Sequence, residues 1–110
     1  MAMIDWQRVR DLRQEIGAEV FDQVVPLFLT EADEAVARLR VARTAPELRD
    51  ALHALKGNAL NLGFTDLARQ CQTLETRAEA GETDLPLAEI YVTLHRSRAL
   101  FLVNLPDLSD

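Results

Sequence analysis

Between Leu48 and Leu62 the apolar side chains stand at positions 48, 52, 55, 59 and 62. Steps of four, three, four and three put Leu48, Leu52, Leu55, Ala59 and Leu62 on one stripe of an α-helix, and a strand period does not reproduce them. A helix with one apolar stripe must bury it against another element, and the rest of the chain reads as further helices. Residues 5–16 form a short first helix with Asp5 as N-cap and Gly17 as terminator. A long second helix, about 19–43, carries Phe21, Val24, Val25, Phe28, Ala35 and Leu39 near helical spacing. Pro26 inside it is expected to kink it or remove one backbone hydrogen bond. Thr44 caps the third helix, with Pro46 in its first turn and Glu47 at the capping-box position, and Gly63 ends it. A fourth helix starts near Thr65, capped by Thr65 or Gly63, carries Leu67, Cys71, Leu74 and Ala78, and stops at Gly81. A fifth takes Asp84 as its cap and Pro86 in its first turn. Its apolar face is Leu87, Tyr91, Leu94, Phe101 and Leu105, interrupted by Ser97 and Arg98. The expected fold is all-α: an antiparallel four-helix bundle over about 19–105, with the N-terminal helix covering one end. The 110 residues make one domain, 1–110.

Charge and cysteine usage remove several functional classes. Twelve Lys and Arg against 18 Asp and Glu leave a net charge of −6, so a nucleic-acid partner is not expected. The one cysteine, Cys71, cannot form a disulfide within the chain, which excludes a disulfide-stapled secreted scaffold. On the helical seam it reads as a small buried apolar residue. The longest apolar run, Val24–Leu29, is far too short to span a membrane. Met1–Trp6 has no basic stretch leading into an apolar one, so no signal peptide is visible. A cytoplasmic protein without a membrane partner is the expectation. Neither a G-x-x-x-x-G-K-[ST] loop nor a kinase glycine-rich motif is present, so the chain is not expected to bind ATP.

Turning the third helix at 100° per residue puts His53 about 140° from the centre of the apolar seam and Gly57 about 180° from it. His53 is therefore expected at the surface, and so is a glycine one turn on. Between them and the seam lie Lys56, the only lysine of the chain, and Leu60. A mid-helix glycine costs about 1 kcal/mol relative to alanine, and close approach of another molecule is the usual reason to keep one. On the fourth helix Glu75 sits about 60° from the seam centre, at the edge of the core. From there its carboxylate can reach the third helix, bond one ring nitrogen of His53 and leave the other unprotonated and outward, an oriented nucleophile.

The stretch Leu52-His53-Ala54-Leu55-Lys56-Gly57-Asn58-Ala59-Leu60-Asn61-Leu62-Gly63, followed by Leu67, Cys71, Leu74 and Glu75, resembles the signature of histidine-containing phosphotransfer (Hpt) domains. The resemblance covers about Leu52–Gly81 in motif and most of the chain in helix order. It implies a phosphorelay intermediate. His53 is the phosphoacceptor, taking a phosphoryl group from a receiver-domain aspartate or from a histidine or hybrid kinase and passing it to a response-regulator receiver aspartate. Lys56 lies near the phosphoryl oxygens and offsets their charge, Glu75 holds the imidazole, and Gly57 keeps the surface open, with Leu60 and Asn61 extending the partner-binding face. The chain itself needs no cofactor and no metal, because Mg²⁺ and the catalytic acids belong to the receiver. Such a protein is a stoichiometric carrier rather than an autonomous enzyme, and a monomer is expected.

Other readings of the same residues are weaker. His95 lacks such company and reads as an ordinary boundary residue. Glu75 alone could pair with Arg69 or Arg77, and Trp6 and Phe21 read as packing of the first helix onto the bundle. A metal-carboxylate bundle would need paired Glu-x-x-His motifs, and the residues three before the two histidines are Asp50 and Val92. A non-catalytic helical adaptor is the remaining alternative.

Overall fold

The computed structural model describes residues 3–108 and is helical throughout. Residues 1, 2, 109 and 110, which the single-domain reading included, lie outside the described residues. Helix α1 spans Trp6–Ile16, α2 Ala18–Val41, α3 Ala45–Leu62, α4 Thr65–Glu79 and α5 Ala88–Asn104, followed by a 3-10 turn at Leu105–Leu108.

Two helix starts, those of α1 and α3, fall where their side-chain signals stand. Asp5 accepts from the Arg8 backbone N–H at 3.2 Å. Thr44 and Glu47 close a complete capping box, with Glu47 N–H donating to Thr44 Oγ1 at 3.2 Å and Thr44 N–H to Glu47 Oε1 at 3.0 Å. Helix α2 runs unbroken through Pro26, which is exposed, so the carbonyl left without a helical donor faces solvent. Its buried stripe is Phe21, Val25, Leu29, Ala32, Ala35 and Leu39. Val24 and Phe28, expected on that stripe, are only half-buried, while Leu29 and Ala32 take its centre.

Two starts differ from expectation. Phe64, not Thr65 or Gly63, is the N-cap residue of α4, without a side-chain cap; its ring is 1% exposed, so burial rather than capping anchors this end. Helix α5 begins at Ala88 after Leu87, and neither Asp84 nor Pro86 lies in it. Its buried residues are Ile90, Thr93, Leu94, Ser97 and Phe101, so Ser97 belongs to the buried face rather than interrupting it. Tyr91 and Leu87 are only half-buried, whereas Val92, Leu100, Leu102 and Val103 face solvent.

Helices α2 to α5 pack as an antiparallel bundle. Arg98 on α5 forks onto Asp33 of α2 at 2.8 and 2.9 Å, and the Arg40 guanidinium of α2 lies 4.1 Å from the Tyr91 ring centroid on α5. Positions rise along one helix as they fall along the other, which fixes the antiparallel sense. Leu52 and Leu55 of α3, Leu67 of α4 and Phe101 of α5 are fully buried, each contributing roughly 1.5–3 kcal/mol by the transfer of its side chain from water. Helix α1 closes the end where α3 turns into α4. Asp5 N–H donates to Gly63 O at 2.7 Å, Thr65 N–H to Met3 O at 3.1 Å, and Trp6 stacks on Phe101 at 5.7 Å. Gly63 has φ +73°, and a Cβ there would stand 2.6 Å from the Asp5 carbonyl oxygen, so glycine answers both the turn and the close approach. On the outer face of α3, His53, Gly57 and Leu60 are left exposed.

Candidate functional site

Helix α3 carries the candidate site on the side away from its seam. The apolar stripe faces inward, so residues 53, 57 and 60 are turned out, and all three are exposed. Lys56 is turned toward α4 and Asn61 toward α2; both are half-buried. Leu60 is 56% exposed and lies two turns from His53 on the same outer line.

Helix α4 supplies the partner of the histidine. His53 Nδ1 lies 2.9 Å from Glu75 Oε2. The contrast in environment matters: the His53 side chain is 69% exposed and that of Glu75 is 7% exposed. A carboxylate set in the wall of the bundle thus holds a ring that stands out in solvent. With Nδ1–H donating to the carboxylate, Nε2 carries the free lone pair. The other Glu75 oxygen, Oε1, pairs with Lys56 Nζ at 2.7 Å. One carboxylate therefore binds both the ring and the only lysine. Burial works to raise the Glu75 pKa, but the hydrogen bonds and charges of Lys56 and His53 outweigh it and hold the carboxyl below its ordinary value.

Gln72, one turn before Glu75, was not marked by the sequence. Its Oε1 accepts from Lys56 Nζ at 2.9 Å, and its Nε2 donates to Thr76 Oγ1 at 3.1 Å. The ammonium is thereby held between Glu75 and Gln72. The available signal was spacing: residues 72 and 75, at i and i+3, share a face of α4.

His53, Lys56 and Glu75 come together as one constellation. Gly57 and Asn61 line the opposite flank of α3, in a groove shared with α2, and Leu60 lies between the two flanks. Nothing stands within 4 Å of where a Gly57 Cβ would be, so no packing contact explains the absence of a side chain there. Arg69 and Arg77 pair with Asp66 and Glu82, respectively, and not with Glu75. His95 is exposed rather than at a boundary. Cys71, one turn before Glu75, is buried; burial, with a smaller push from the Glu75 charge, drives its thiol pKa up to about 12, against a weaker opposing pull from Lys56.

A family model for the Hpt domain matches residues 23–103. The chain belongs to the Hpt domain family. Two similar proteins bear the description phosphorelay protein LuxU. That of Vibrio harveyi is 24% identical over 102 residues, covering 87% of this chain and 90% of the relative. That of Vibrio vulnificus (strain YJ016) is 28% identical over 85 residues, covering 74% of each. No solved structure matches the chain. The Hpt match takes in all of α3, α4 and the His53–Glu75 pair, and most of α2 and α5, while α1 lies outside it. This Hpt chain is a histidine-phosphotransfer protein of the phosphorelay type. No helix among the described residues is long and apolar enough to cross a membrane.

Proposed function

We propose that this Hpt domain carries the phosphoryl group on His53 Nε2, receiving it from a receiver aspartate or a kinase domain and delivering it to a receiver aspartate. The observation that carries the reading is the pairing of an exposed ring with a buried carboxylate: Nδ1 is engaged by Glu75 at 2.9 Å, which leaves Nε2 as the outward nucleophile. In the accepting step the Nε2 lone pair forms a bond to phosphorus while the phosphorus–oxygen bond of the aspartyl phosphate breaks and the aspartate leaves as a carboxylate. Nδ1 keeps its proton, and Glu75 stabilises the positive charge that develops on the ring. Lys56 sits one turn from His53, and its ammonium offsets the charge on the phosphoryl oxygens. Catalysis by such a site is positioning and charge stabilisation, since the reacting phosphate arrives on another protein. Mg²⁺ and the acids that bind it act from the receiver, and this chain serves as a stoichiometric carrier with no ATP site of its own. It works as a cytoplasmic monomer between kinase and receiver.

The test is His53→Gln. With a phosphorylated receiver as donor, the wild-type chain gains an acid-labile, base-stable label; His53→Gln gains none at unchanged helical content, and His95→Gln labels normally. Label persisting on the His53 variant, or no label on the wild type, overturns the assignment; the latter leaves the adaptor reading.

A further inference from the structure

Lys56, the chain's only lysine, has two partners on α4 that differ in kind. Its side chain is 18% exposed. On one side Glu75 Oε1 stands 2.7 Å from Nζ, yet that buried oxygen accepts no well-aligned hydrogen bond among the described residues. The carboxylate therefore supplies charge at close range, which fixes a distance more than a direction. On the other side Gln72 Oε1 accepts from Nζ at 2.9 Å, and this is the aligned hydrogen bond of the ammonium. The Gln72 amide is itself fixed. Its Nε2 donates to Thr76 Oγ1 at 3.1 Å, and that hydroxyl donates to the Gln72 main-chain carbonyl at 3.0 Å. The hydroxyl proton is thus committed to the main chain, and its oxygen is open only to a donor. Turning the amide over would set its NH₂ against the ammonium and its oxygen against a hydroxyl with no proton to give. An ammonium has three donors. With one on Gln72 and one toward Glu75, the third has no partner among the described residues.

We infer that Gln72, braced by Thr76, is a positioning residue for phosphoryl transfer: it sets the direction of the Lys56 ammonium so that one N–H stays free for an oxygen of the phosphoryl group on His53. This role rests on the phosphotransfer reading, because it needs a phosphoryl group at His53, and it adds the residue that aims the charge. A lysine ammonium is a point charge on a flexible stem, and a charge contact alone leaves it free to turn. A second, directed partner removes that freedom before the phosphoryl group arrives, so little reorganisation is left for the transfer itself. Lys56 and His53 sit one turn apart on α3 and share one carboxylate, with His53 Nδ1 on Oε2 and Lys56 Nζ on Oε1 of Glu75. The ammonium is therefore kept on the same side of the helix pair as the ring. Gln72 bonds to Lys56 and Thr76 rather than to the ring, so it acts through the lysine.

Because the chain has one lysine, lysine-selective ¹⁵N labelling gives a single side-chain ammonium signal. Its position and its proton exchange with water are recorded in the full-length wild type and in Gln72→Met, which keeps the side-chain length and removes the acceptor. Labelling of His53 by phosphoramidate, a small donor that needs no docking, is timed on the same samples. Gln72 and Thr76 are exposed, so helical content stays at the wild-type level. Gln72→Met moves the ammonium signal, speeds its exchange and slows labelling about threefold, and Thr76→Val does the same to about twofold. Thr73→Val, which removes a hydroxyl bonded to the Arg69 carbonyl, leaves both readings unchanged. In a Lys56→Met background Gln72→Met adds no further slowing, because the two residues act as one unit. An unmoved ammonium signal, or a wild-type labelling rate, in Gln72→Met overturns the proposal. So does a slowing that persists in full without Lys56, since Gln72 would then act by another route. If phosphoramidate leaves no label on wild-type His53, the phosphotransfer reading itself fails and the positioning role falls with it.

Discussion

Removing the Glu75 carboxylate separates a held nucleophile from a free one. In the wild type the carboxylate accepts from His53 Nδ1–H across 2.9 Å. A hydrogen bond to a charged group contributes about 1.5–3 kcal/mol when sheltered. Here water competes for a ring that is 69% exposed, so the value falls just below that range, about 1.4 kcal/mol, or tenfold in rate. Glu75→Ala is expected to label about tenfold more slowly with phosphoramidate, a donor that takes receiver docking out of the measurement. Glu75→Gln keeps an acceptor but loses the charge. Charge assistance roughly doubles such a bond, so the amide retains about 0.7 kcal/mol and the loss is about threefold. The two variants thus rank as wild type, Gln, Ala. The pH dependence of stability gives a second reading of the same group. The folded-state pKa of Glu75 lies below the ordinary value of 4.5, first against burial, which raises it, and then through Lys56 and His53, which lower it further than burial raises it. A depressed carboxylate pKa stabilises the fold above the unfolded value, and that contribution is lost as pH falls through the lowered folded value. The titration of Glu75 itself therefore contributes a constant stabilisation above about pH 5, which is lost only in more acid solution. Labelling of Glu75→Ala at the wild-type rate refutes the orienting role, and equal rates for Gln and Ala refute the partition between charge and hydrogen bond.

Gly57→Gln is expected to keep the fold and raise the melting temperature by a few degrees, since a Cβ there meets nothing within 4 Å and glycine in a helix costs about 1 kcal/mol; transfer to a receiver falls sharply, and thermal melts with transfer rates on one sample check both. Unfolding would make it a packing residue. Gly63→Ala is expected to destabilise by about 2 kcal/mol or more in urea unfolding, because φ is +73° and the added Cβ would stand 2.6 Å from a backbone oxygen. Cys71, buried and with its thiol pKa near 12, should resist a thiol-reactive disulfide reagent at pH 8 in the folded protein and react fully in denaturant.

Helix starts with a side-chain cap were legible because a cap acts within one turn of its own residue. Asp5, Thr44 and Glu47 needed nothing from the rest of the chain, and Gly63 announced its own turn. The exposure of His53 followed in the same way, since the 4-3-4-3 seam of α3 fixes which face is inward and every other position takes its angle from it. Residues 82–87 and α5 show where local signals stop. Asp84 and Pro86 are adequate helix-start residues, yet the helix begins at Ala88. Apolar residues surround α5, with Val92, Leu100, Leu102 and Val103 outside and Ile90 and Phe101 inside, so no single stripe told which face would be buried. Packing against α2 and α4 made that choice, and it placed Ser97 in the interior. The same limit applies at the site. Spacing placed Glu75 on a flank of α4, but its division between His53 Nδ1 and Lys56 Nζ depends on how α3 and α4 are rotated and separated. The grip of Gln72 on Lys56 has the same origin. A periodic pattern specifies angles about one helix axis, whereas contacts between helices depend on the placement of two axes, which only the packed core sets.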